Sequence, residues 1–179
     1  MQYSSEELEE LELIICDFYD CTIFRMTANF TRNLLAAEGY LELGMLDRAS
    51  LELEQIEPEL RAGIDVMTMR CQIFMAAKQW EAAQDVAKHL VSLNPKEVQH
   101  WILAGYATRR AVNIEAARDI LLRAKPFHPD EPMLDYNLAC YVCQLGQIDE
   151  AKALLKVAIS AKKEFKAMAL DDPDLGAMW

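Results

Sequence analysis

Little in this chain interrupts regular backbone. Only six glycines and six prolines are spread over 179 residues, and 53% of the residues are apolar, which excludes a disordered chain. Basic runs are missing as well: Arg109-Arg110 and Lys162-Lys163 are pairs, not patches, in a chain of net charge −11. Phosphate neutralisation needs a basic surface, so neither nucleic acid nor an anionic membrane is expected as a partner. No stretch approaches the roughly 20 uncharged apolar residues that span a bilayer. The N-terminal MQYSSEELEELELIICDFYD is acidic from the start and lacks the basic segment of a secretory signal. The five cysteines (Cys16, Cys21, Cys71, Cys140, Cys143) are odd in number and fall in apolar helical pattern, as expected of reduced, buried thiols in a cytoplasmic protein.

Catalytic signatures are absent too. There is no phosphate loop, no G-x-S-x-G and no HExxH. His89, His100 and His128 stand at helix ends or junctions without a spaced partner, where solvated or capping roles are expected. Cys140-x-x-Cys143 places two sulfurs on one helical face, but a zinc site needs two further ligands at suitable spacing and none is evident. A redox pair of this spacing normally opens a helix after a strand, and no strand is predicted. Both cysteines are therefore read as small hydrophobes. The expectation is a non-enzyme with no metal and no cofactor.

What the chain does contain is a period. Ala49, Ala83, Ala117 and Ala151 recur at intervals of 34 residues. The small residues Ala37, Cys71, Gly105 and Ala139 each lie twelve places upstream of one of them, and the bulky Leu46, Trp80, Ile114 and Ile148 three places upstream. A fixed period of this length means a stack of similar supersecondary units, each a pair of helices. Apolar residues recur three and four apart within a unit, as in Ala117, Ile120, Leu121 and Ala124. Gly44 and Gly146 end first helices where a left-handed residue is wanted, and Asn94-Pro95 and His128-Pro129 close second helices. The small columns let paired helices approach closely, and a longer side chain there should cost roughly 1–3 kcal/mol.

Residues 30–63, 64–97, 98–131 and 132–165 form four consecutive units. In the third, Trp101, Ala104, Gly105, Ala117, Leu121, Ala124 and Pro129 fall at the W, L, G, A, F, A and P of a known pattern, with Thr108 where tyrosine is usual. The fourth supplies Leu138, Ala139, Gly146, Ala151, Leu155 and Ala158, and the first Ala37, Tyr40, Gly44 and Ala49. The second has Arg70 where leucine is usual, yet keeps Phe74, Trp80, Ala83 and Pro95. On these residues the chain resembles the tetratricopeptide-repeat (TPR) family over about three quarters of its length. The resemblance implies an all-α fold, a right-handed α-solenoid of antiparallel helix pairs whose first helices line a concave groove. The apolar ends of such a stack need covers. Residues 1–29 are assigned to an N-terminal capping helix, with Ser4 and Glu7 as a capping box and Leu8, Leu11, Ile15 and Phe18 in one stripe. Residues 166–179 are assigned to a C-terminal cap and tail, in which Asp172-Pro173 opens a short final helix ending in Met178-Trp179.

In this family the groove is lined by the second, fifth, ninth, twelfth and thirteenth residues of each unit. That implies Thr31, Leu34, Glu38, Leu41 and Glu42, then Asp65, Thr68, Gln72, Met75 and Ala76. The third unit offers Gln99, Ile102, Tyr106, Arg109 and Arg110, and the fourth Met133, Tyr136, Cys140, Cys143 and Gln144. Gln72, Met75, Gln99, Tyr106, Arg109, Arg110 and Tyr136 are the candidate peptide contacts, because arginine forks and phenol rings bind peptides well. Pairing of the arginines with carboxylates on helix surfaces is the alternative. Members that clamp chaperone tails use Lys, Asn and Arg; here Leu34, Glu38, Met69, Gln99 and Leu103, or Thr68, Gln72, Leu103, Met133 and Asn137 one unit later, stand in their places. Neither set keeps the charges, so that clamp is not expected.

The functional expectation is a non-enzymatic protein-interaction module that binds a partner peptide or segment in the groove. One alternative is a self-associating, secretion-chaperone-like protein: the chain is similar to the short TPR chaperones of type III secretion in size, acidity and its extra N-terminal helix. There Tyr19, Ile23 and Phe24 would widen the N-terminal stripe enough to pair two copies as a homodimer. Another alternative, an enzyme or metal protein, would have to be built around Cys140 and Cys143.

Overall fold

The computed structural model describes residues 28–179. The capping stripe and dimer surface expected over 4–27 lie outside the described residues. Every regular element among the described residues is helical. Helix α1 covers 28–42, followed by α2 (Leu46–Glu54), a 3-10 turn (Pro58–Leu60) and α3 (Ile64–Ala76). Then come α4 (Trp80–Leu93), α5 (Val98–Ala111), α6 (Ile114–Ala124), α7 (Pro132–Gln144), α8 (Ile148–Ala161), α9 (Glu164–Asp171) and a closing 3-10 helix (Pro173–Met178). The described residues divide into two compact units, one ending at Met69 and the other running from Arg70 to Trp179.

In the first unit, Ala37 of α1 and Ala49 of α2 are both inaccessible to solvent. A helix end leaves its last carbonyls without partners. Beyond α2 the Arg61 guanidinium supplies them, donating to the carbonyl of Ile56 at 2.7 Å and to that of Glu54.

In the second unit each helix from α4 to α8 packs on the next. Ala83, Ala117 and Ala151 have no exposed surface. The small residues opposite them explain why. A Cβ at Gly105 of α5 would fall 2.8 Å from Cδ2 of Leu121 in α6, which is itself fully buried. The Cys71 thiol of α3 donates to the carbonyl of Ala83 in α4 at 3.4 Å. Thr108, at the position where the family carries tyrosine, accepts a buried hydrogen bond from the Gln84 amide at 2.8 Å. Three rings fasten the turn between α4 and α5. Trp101 Nε1 donates to the Pro95 carbonyl at 2.9 Å, His128 Nε2 bonds the same oxygen at 3.2 Å, and His100 Nδ1 bonds the Asn94 carbonyl at 3.2 Å. Of the solvated or capping roles expected at its junction, His100 takes the second: it is 2% exposed and bonds the carbonyl of Asn94, the C-cap residue of α4.

The turns between paired helices repeat as closely as the columns do. After α1, Met45 N–H bonds the Tyr40 carbonyl (2.8 Å) and Gly44 N–H that of Leu41 (3.0 Å). The same pair recurs 34 residues on as Gln79 to Phe74 and Lys78 to Met75, and after α7 as Gln147 to Val142 and Gly146 to Cys143. This Schellman arrangement requires a left-handed residue, and Gly44 (φ +70), Lys78 (φ 58) and Gly146 (φ +79) all take that conformation. The turn before α6 departs from it: Val112 has φ −124, and Asn113 caps α6 by accepting from Ala116 N–H at 2.8 Å. A lysine held left-handed is strained where glycine is not. Lys78→Gly should therefore raise the unfolding free energy by about 1 kcal/mol, read as a higher urea midpoint at unchanged slope. Val112→Gly, at the turn with negative φ, should give no gain.

Candidate functional site

The C-terminal segment decides what the predicted ligand-facing residues do. The side chain of Asp172 caps the closing 3-10 helix by accepting from Asp174 N–H at 2.9 Å, and Pro173 takes the first position, where a missing N–H costs nothing. The helix so formed packs on α7, and Leu175 is completely buried among the residues of that core.

Five side chains of α5 and α7 hold this segment by polar contacts. Arg109 grips the Asp174 carboxylate with both terminal nitrogens, Nη1 to Oδ2 and Nη2 to Oδ1, the latter at 2.8 Å. Its guanidinium also lies over the Tyr141 ring, 5.5 Å from the centroid. The Tyr136 hydroxyl donates to Asp172 Oδ2 at 2.8 Å, and the Cys140 thiol points at the same oxygen from 3.5 Å. Gln144 Nε2 donates to the Asp174 carbonyl at 3.4 Å, and the Ala177 backbone hydrogen-bonds the Cys143 sulfur.

The electrostatics follow from burial. Burial, reinforced by the Asp172 carboxylate, pushes the Tyr136 hydroxyl and the Cys140 thiol above their ordinary pKa, so both stay protonated and serve as donors. Burial raises the Cys143 thiol as well. The hydrogen bond to Asp174 raises Arg109 and keeps it charged.

The seven candidate contacts fall into separate groups. Arg109 and Tyr136 meet the C-terminal segment. Tyr106 and Arg110 belong to another cluster, together with Trp80. Here the Arg110 guanidinium stands 5.5 Å from the Tyr106 centroid and 5.7 Å from that of Trp80, while the two rings meet edge to face at 6.1 Å. Arg110 is exposed, and both rings are half-buried. Gln72 and Met75 are half-buried on α3, and Gln99 is exposed at the start of α5 beside its Glu97 cap. The two arginines divide between the readings: Arg109 pairs with a carboxylate, Asp174 of the closing 3-10 helix, and Arg110 packs against aromatic faces. The sequence leaves open whether the DDPDLGAMW segment tucks back onto the groove, and it does not pair Asp172 or Asp174 with Tyr136 or Arg109. The signal was present as two acids flanking a proline, in a chain with one arginine pair at ligand-facing positions. Among the described residues, no three or more His, Cys, Asp or Glu side chains gather where they could hold a metal ion, and no helix is long and apolar enough to cross a membrane.

No family model matches the chain. Over 122 residues it is 29% identical to lipopolysaccharide assembly protein B of Escherichia coli strain K12, and equally to that protein from strain O157:H7. The aligned part is 68% of this chain and 31% of the relative, so the chain spans about a third of the length of the curated relatives it matches. Among solved structures, a TPR protein of Thermus thermophilus superposes with a TM-score of 0.66 at 19% identity, covering 83% of this chain and 85% of that one. The MamA protein superposes at 0.63 and 18% identity, covering 84% of each. The fold is that of the tetratricopeptide-repeat proteins, an all-α solenoid.

The burial of the two thiols yields a test of the segment's hold. At pH 8, Cys140 and Cys143 should react slowly with iodoacetamide, because they are covered and protonated. Leu175→Ala, which loosens the segment, should speed alkylation of both by roughly tenfold or more. Cys71, whose thiol burial pushes up to about 11, should be unaffected. Peptide mapping by mass spectrometry reads all three.

Proposed function

We propose that this chain is a non-enzymatic, cytoplasmic interaction module that binds a segment of a partner protein along α3, α5 and α7. Its open contacts are Gln72, Met75, Gln99, Tyr106 and Arg110. The observation that carries this reading is the seat of Arg110. In a chain of net charge −11 its guanidinium is displayed between two aromatic rings, exposed, and with no carboxylate partner among the described residues. Aromatic faces hold the plane of the cation while its N–H edge stays available to a carboxylate or a backbone carbonyl. A side chain ordered in advance loses little entropy on binding, as contacts that dominate an interface should.

The fold supports the reading by analogy only, since function resides in the site. The acidic surface favours a protein partner over nucleic acid. The partial likeness to a protein named for lipopolysaccharide assembly supports a role in bringing components together, within the part that matches.

Affinity selection from a lysate of the source organism, quantified by mass spectrometry, tests the assignment. Partners recovered with wild type should fall about tenfold with Arg110→Glu, the loss of one contact of about 1.4 kcal/mol. They should persist with Arg123→Glu, an exposed arginine of α6. Equal recovery with all three proteins would remove Arg110 from the account.

A further inference from the structure

The residues that hold the C-terminal segment occupy the ligand-facing positions implied by the family resemblance: Arg109, Tyr136, Cys140, Cys143 and Gln144. Their chemistry suits one kind of ligand. Arg109 offers a two-pronged grip to one carboxylate, the Tyr136 hydroxyl and Cys140 thiol offer neutral donors to a second, and the core beside α7 takes Leu175 fully and Met178 in part. The resident segment matches this set with Asp174, Asp172 and Leu175. It is also short. Leu175 is its one buried residue, while Pro173, Gly176, Ala177 and Trp179 are exposed. Segments with few buried contacts open more readily than the helices they rest on.

We propose that this face is a receptor for an acidic turn of the form Asp-Pro-Asp-Leu presented by a partner protein, with residues 172–175 as its built-in competitor. The proposal rests on the interaction-module reading and names the chemistry of its ligand. While the segment is seated, the site is available only in the fraction of molecules that have released it, and apparent affinity for a partner falls by that fraction. A partner carrying the same turn replaces Asp174 on Arg109 and Asp172 on Tyr136, and the displaced tail is free.

The test uses the full-length chain carrying Asp172→Ala, Asp174→Ala and Leu175→Ala, so the tail is present but no longer fits its seat. The probe is a fluorescein-labelled peptide of residues 170–179, followed by anisotropy. The triple variant should bind it at least about tenfold more tightly than wild type, as expected when competition is removed. Binding should vanish when the two matching aspartates of the peptide are asparagine, or when Arg109→Gln is added to the variant. Adding Arg110→Glu instead should leave peptide binding intact, which separates this proposal from the preceding one. A folded triple variant, cooperative in urea, that binds the peptide no better than wild type would make the segment a fixed cap and overturn the proposal. If the triple variant does not fold, Asp174→Asn alone carries the same comparison, and no gain in affinity there overturns it equally. A wild-type dimer lost in the triple variant would place the segment on a second copy and overturn occupancy within one chain.

Discussion

Two helices come close together only where one of them presents almost no side chain, and in this protein that condition recurs down the sequence. At Gly105 even a methyl group would press on Leu121. At Cys71 the thiol is near enough to donate to the backbone of the next helix. Ala83, Ala117 and Ala151 are wholly buried by the same close approach. Bulkier apolar groups such as Leu121, Leu134 and Leu138 then fill the layers between and remove their surface from water, which supplies most of the favourable free energy. The turns serve the same geometry. A left-handed residue with a Schellman pair of hydrogen bonds reverses the chain within a few residues, so the second helix lies at once against the first.

Regular packing of this kind gives α5 and α7 a fixed face, and the side chains on it acquire different tasks from their neighbours. Arg109 and Arg110 are adjacent in sequence and diverge in space. One turns toward α7 and the tail, the other toward Trp80 and Tyr106. The acids of the tail meet groups whose burial keeps them neutral, so Asp172 is satisfied by donors without a full counter-charge, while Asp174 receives the charged fork. A short segment held by polar contacts, Leu175 and Met178 covers part of α7 and α8.

The features legible in the sequence were those carried by local chemistry or by repetition. The alanine columns, the glycines at 44 and 146, and the Asp172-Pro173 cap each follow from backbone requirements that one or two residues reveal. Lys78 escaped notice because its side chain gives no reason for a left-handed backbone; the turn imposes that conformation through hydrogen bonds it shares with its counterparts. The Arg109–Asp174 pair was not visible because pairing across 65 positions depends on where the segment after α9 lands, and no periodicity encodes that. The burial of His100 was hidden for a related reason. Its position marks a junction, but only the fold shows that the junction is dry and that a carbonyl awaits the ring.

The close-approach account is tested most directly by urea unfolding of two alanine variants on one helix. Ala151 is buried in the repeating column, and Ala153 is exposed two residues later. Ala151→Leu should lower the unfolding free energy by about 2–3 kcal/mol through overpacking, with Ala153→Leu within about 0.5 kcal/mol of wild type. Equal stability of the two variants would contradict the account, because it would mean that α8 has room where the small-residue column requires contact.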